Sequence, residues 1–237
     1  MIPTYDVDIH VRETFESTDF WQPAPSDIDE EGFAYFQDAW PILSPSVADT
    51  AAVIASEEVG LAFLEWTCRD AAQFDEVARD LEAFVLNEPL PDDVADAFTG
   101  LNGLEVGVAG LVYALACTGY YPAASCRSHA ERSWSDCPVV FFATAEPRLR
   151  NLIPLAVEAG CGLDANNSRG VPLFVLYAPS TVEMANLARA VFAQRTELRA
   201  MPKTSRRQLS RYRTPLPTQL NLFDMLTRSD SGERPCQ

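Results

Sequence analysis

From Tyr5 to Arg12 apolar and polar residues alternate without a break, the period of a half-buried strand whose wet face carries Asp6, Asp8 and His10. Residues 17–31, with Pro23, Pro25 and an Asp/Glu cluster, read as loop. The mostly apolar run Val59–Cys68, holding Leu61, Phe63, Leu64 and Trp66, predicts a second strand. The period then lengthens. Phe74, Val77, Ala78, Leu81, Phe84 and Val85 recur at helical spacing, and Asn87-Glu88-Pro89 closes that helix. After a proline-marked loop, a helix over 104–118 ends at Gly119, a natural left-handed cap. An extended piece at Ala123–Cys126 and a strand at Pro138–Thr144 follow. A helix over 147–159 stops at Gly160, with Pro154 either starting or kinking it. The strand Leu173–Ala178 leads to Ser180-Thr181-Val182-Glu183, a capping box that opens a helix reaching about Arg199.

Interleaved strands and helices with a run of short pairs predict an α+β fold: a mixed short-strand sheet with packed helices, an acidic N-terminal half and a basic disordered tail. With 47% hydrophobic and 22% charged residues among 237, the chain can bury a core without disulfides or a structural metal. Three regions are expected: an acidic α+β region over 1–100, an α+β domain over 101–199 and a flexible basic tail over 200–237.

Charge sharpens that division. Residues 1–100 carry 23 acidic and 3 basic side chains, whereas residues 195–237 carry 4 and 9. The overall net charge of -16 argues against nucleic-acid binding by the whole molecule. The acidic region either keeps the protein soluble or engages a basic protein partner.

The start, MIPTYDVDIHVRETF, lacks the basic end and apolar stretch of a secretory signal, so a cytoplasmic setting with free thiols is expected for Cys68, Cys117, Cys126, Cys137, Cys161 and Cys236. Val106–Cys126 carries no charge, but its glycines, Thr118 and Pro122 leave about a dozen apolar helical residues. That length suits a buried helix, and no membrane association is expected.

The tail holds Pro217-Thr218-Gln219-Leu220-Asn221-Leu222-Phe223-Asp224. It resembles the bacterial sliding-clamp-binding motif, Gln-Leu-x-Leu-Phe, and Gln219, Leu220, Leu222 and Phe223 match its four specified positions. The resemblance implies the bacterial DNA sliding clamp as partner, with the glutamine hydrogen-bonding a small pocket and the leucine and phenylalanine filling an apolar one. A few apolar anchors on a proline-stiffened tail suit such docking. In the alternative, Leu220, Phe223 and Leu226 line one side of a short helix folded onto the body.

A second constellation is Cys126-Arg127-Ser128-His129, followed by Trp134, Asp136 and Cys137. Positive charge from Arg127 and His129 would stabilise a Cys126 thiolate, and His129 could act as base with Asp136 orienting it. These three are the candidate catalytic residues; a buried cysteine beside a surface histidine is the simpler alternative. Cys117, Cys126, His129 and Cys137 could also make a Cys3His metal site, and Asp6, Asp8 and His10 could hold a cation. Neither spacing is that of an established metal motif, and no metal is assigned.

Between 104 and 181 the order of elements resembles the wybutosine-synthesis methyltransferase family, through Tyr121–His129, Val139–Ala143, Ala159-Gly160, Asn167-Ser168 with Gly170, and Leu173–Ala178. The resemblance implies S-adenosylmethionine and a tRNA guanosine. Ser128-His129 stand where the family has Gly-Arg, Cys161–Asn166 is inserted before the turn, and no basic face offers itself to tRNA. The leading expectation is therefore a clamp-docking accessory or regulatory protein in DNA replication, repair or phage and mobile-element defence. The alternative is a small Cys/His-site enzyme, such as a nucleotide- or RNA-modifying transferase.

Overall fold

A computed structural model describes residues 1–20, 45–83, 90–129, 135–166 and 172–201. The described residues form seven α-helices, a short 3-10 turn at Ser17–Asp19 and a four-stranded sheet, an α+β fold. The helices are α1 (Val47–Thr67), α2 (Ala71–Glu82), α3 (Asp92–Gly100), α4 (Ala109–Cys117), α5 (Glu146–Ala159), α6 (Thr181–Ala193) and α7 (Arg195–Ala200). The strands β1 (Tyr121–Cys126), β2 (Val139–Ala143), β3 (Gly162–Asn166) and β4 (Leu173–Tyr177) lie in the order β1-β2-β4-β3, with every neighbour antiparallel. Among the described residues no helix is long and apolar enough to cross a membrane.

The sheet has two apolar faces. Val140, Phe142, Leu163, Phe174 and Leu176 join the main core with the helices, while Val139, Phe141 and Ala143 form a smaller cluster against Tyr5 and Val7. The main core draws residues from Phe20 to Leu198, so apolar packing is continuous across residue 100.

The expected strand at Val59–Cys68 is instead the second half of α1. Ser46 caps that helix with a reciprocal Asp49 bond, and its buried positions Val53, Ile54, Glu57, Gly60, Leu61 and Leu64 follow helical spacing. Trp66, which makes the run look like a strand, is 86% exposed. Asp92–Gly100, expected as loop, forms α3, with two acidic residues in its first turn complementing the helix dipole. The six residues expected as an insertion, Cys161–Asn166, contain β3, with Gly162 paired to Tyr177.

Tyr5–Arg12 keeps its alternation, with Asp6, Asp8 and His10 exposed, yet it is no strand of the sheet. Only Val11 bridges, in parallel, to Leu163. The Tyr177 hydroxyl accepts from the His10 amide at 3.2 Å and donates to the His10 carbonyl at 3.0 Å. The 104–118 helix begins later than expected, at Ala109, because Gly107 at φ 91° turns the chain first. Gly160 ends α5 in the left-handed conformation, and Pro154 lies inside the helix. At α6 the Ser180 hydroxyl accepts from the Val182 amide, while Glu183 reaches that same hydroxyl and not a backbone amide. The helix expected to reach Arg199 is divided at Gln194 into α6 and α7.

Two buried polar groups fix α4. Glu57 of α1 accepts the amides of Gly107 at 2.9 Å and Gly110 at 3.1 Å, so a neighbouring helix caps α4. Burial pushes the Glu57 carboxyl up to about 7, against those amides. At the other end, Arg148 of α5 donates to the carbonyls of Thr118, at 2.5 Å, and Leu198, at 2.7 Å, joining the ends of α4 and α7. Its second nitrogen reaches the Met201 carbonyl at 3.4 Å.

Candidate functional site

The side chain of Arg127 has no exposed surface, although it follows directly on β1. Burying a guanidinium demands a partner for its charge and donors, and α2 provides them. Asp75 accepts from one terminal nitrogen at 2.7 Å, and Glu82 accepts from Nε and the other nitrogen at 3.2 Å each. Asp75, Ala78 and Glu82 share one helical face at spacings of three and four, which places two acids on the buried side of α2. Glu82 also accepts the Val106 amide at 2.8 Å.

Glu105 and His129 extend this network. Glu105 accepts the Arg127 amide on Oε2 at 2.7 Å and turns Oε1 to His129 Nε2 at 2.8 Å. His129 Nδ1 faces Asp75 at 3.0 Å. Between Arg127 and His129, Ser128 adopts a left-handed φ of 71°, uncommon for a residue with a side chain. That turn directs its amide to Cys126 Sγ at 3.3 Å and its hydroxyl to the Ser135 carbonyl at 3.0 Å. Cys126 itself is only 1% exposed.

These contacts set the charges. Bonding to Cys126 and Glu105 pushes His129 up to about 10, so the imidazole is protonated at neutral pH. Burial would raise Asp75, but Arg127 and His129 outweigh it and hold the carboxyl below its ordinary value. Glu105 is likewise held low, by His129 and the Arg127 amide against its burial. Burial dominates at Glu82 and raises it. The carboxylates overcome burial at Arg127 and strengthen its hold on its proton.

The structure thus brings Cys126 and His129 together but supplies different carboxylates from the one expected. Asp136 is exposed, and Asp75 and Glu105 occupy the two ring nitrogens. An imidazolium held this way donates hydrogen bonds and cannot accept a proton as a base. The ligand atoms that converge are those of Glu105, Cys126 and His129, all within 4.8 Å of one another. Cys117 and Cys137 are not in that group, nor are Asp6, Asp8 and His10. None of the five described cysteines is in a disulfide, and all five are buried. Trp134, the Asn167-Ser168-Gly170 turn, and Gln219, Leu220, Leu222 and Phe223 lie outside the described residues. Asp75 and Glu82 had a legible signal in the sequence, charges on the apolar face of a helix; Glu105 had none. No family model, curated protein or solved structure matches the chain.

Proposed function

We propose that the protein is an accessory or regulatory factor that docks on the bacterial DNA sliding clamp through Gln219, Leu220, Leu222 and Phe223, and acts in DNA replication, repair or defence against phage and mobile elements. The observation that carries this reading is the Gln-Leu-Asn-Leu-Phe sequence, which follows the last described helix by a basic, proline-containing stretch. Such a motif supplies its apolar anchors without demanding anything of the core. The acidic region remains the surface proposed for a basic protein partner. A labelled peptide of residues 213–228 should bind a bacterial clamp saturably at around micromolar strength. Binding should vanish with Phe223→Ala, in the peptide and in the full chain; retained binding would overturn the reading.

A second reading is favoured by the convergence of Cys126 and His129: a small enzyme, such as a nucleotide- or RNA-modifying transferase, with Cys126 as its nucleophile. It requires Cys126 to alkylate faster than a model thiol despite its burial, measured by mass spectrometry against Cys117 and Cys161 as internal controls. An equal or slower rate removes this reading.

A further inference from the structure

We propose that Glu105, Cys126 and His129 bind a divalent cation of the zinc class. Three residues from two places in the chain, the turn before α4 and the end of β1, present an oxygen, a sulfur and a nitrogen within 4.8 Å of one another. Three ligands of a tetrahedral zinc ion stand ~3.3–3.8 Å apart, given metal–ligand distances of ~2.0–2.3 Å. His129 Nε2 and Glu105 Oε1, at 2.8 Å, need only part by about 0.5–1 Å to reach that spacing. The donor types select the ion: sulfur and imidazole favour zinc, cobalt or copper over magnesium and calcium. Binding displaces the protons of His129 Nε2 and the Cys126 thiol to solvent, and the resulting thiolate and the Glu105 carboxylate neutralise the divalent charge.

The stronger observation is what stands behind each ligand. Metal-bound histidines characteristically give their other ring nitrogen to a carboxylate, and His129 Nδ1 faces Asp75, itself held by Arg127 at 2.7 Å. Glu105 has its second oxygen fixed by the Arg127 amide, leaving Oε1 for the ion. The Ser128 amide donates to Cys126 Sγ, and the left-handed turn at Ser128 makes that approach. Three protein ligands leave a fourth position for water or a substrate oxygen, the arrangement of catalytic zinc sites.

The proposal shares residues with the thiol-enzyme reading but is independent of clamp docking, so either can fail alone. The test is titration of the chelator-treated, full-length protein with Co2+, followed by Zn2+ competition. One Co2+ per chain is expected, with a thiolate-to-cobalt charge-transfer band in the near ultraviolet. Cys126→Ser should abolish that band while Cys117→Ser leaves it intact, and Glu105→Gln should weaken binding at least tenfold. Absence of stoichiometric Co2+ binding by the folded wild type would overturn the proposal, as would a band that persists in Cys126→Ser. Circular dichroism of each variant separates loss of a ligand from loss of the fold.

Discussion

Arg127 keeps its charge inside the protein because two carboxylates of one helix meet all three of its side-chain nitrogens. Removing the guanidinium leaves Asp75 with His129 and Glu82 with the Val106 amide in a poorly solvated place, which is costlier than losing the attraction itself. Arg127→Met should therefore destabilise the fold by about 3–5 kcal/mol, read from urea denaturation at pH 7. The loss should shrink in acid. Asp75 is held below its ordinary value, so its contribution is present above the carboxylate range and disappears as pH falls through it. A loss under about 1 kcal/mol at pH 7 would mean that the stranded acids reach water.

Among the elements, α4 is the one whose start depends on a neighbour. Glu57 caps it from α1, and Gly110 leaves room: a Cβ there would lie 2.4 Å from the Glu57 carboxylate. A carboxyl raised to about 7 binds protons more readily folded than unfolded, so stability falls as pH rises from 4.5 towards 7, by up to ~3 kcal/mol. Glu57→Gln keeps an acceptor and discards the charge. It should flatten that decline while leaving the one due to His129, which begins near 6.5 and ends near 10. Urea midpoints of both proteins between pH 5 and 8 provide the check; parallel curves would show that Glu57 does not titrate there. Legibility follows the same logic of neighbours. The strands β2 and β4 and the glycine stops of α4 and α5 are local signals, and they are read correctly from sequence. Helix α1 is misread because Val59 and Trp66 put apolar residues on its exposed side, outside the buried stripe. Strand β3, in Gly-Leu-Asp-Ala-Asn, offers no β-branched residue and is fixed by pairing with β4. Within the site, Cys126 and His129 are adjacent in sequence and easily paired on paper; Asp75 and Glu105 reach them only through tertiary packing.

At the scale of the molecule, the uneven charge is partly an internal arrangement. Three acids of the acidic region, Glu57, Asp75 and Glu82, serve amides and a guanidinium contributed by residues beyond 100. Their charge is thus unavailable to an outside partner, and the exposed remainder sets the field around the body. If residues 219–223 dock on a clamp as proposed, and not on the body, the Phe223→Ala chain should melt within about 2 °C of wild type, as expected for a change away from the core.

Arg148 has a mechanical consequence. By gripping the carbonyls of Leu198 and Met201 from α5, it makes a fixed post where the chain leaves the last helix. Gln219 lies at most about 65 Å from that post, the length of the intervening residues drawn straight. Under the proposed docking, the pocket that takes Gln219 lies within that reach of Met201, so Arg148 sets the origin from which the motif searches for its partner.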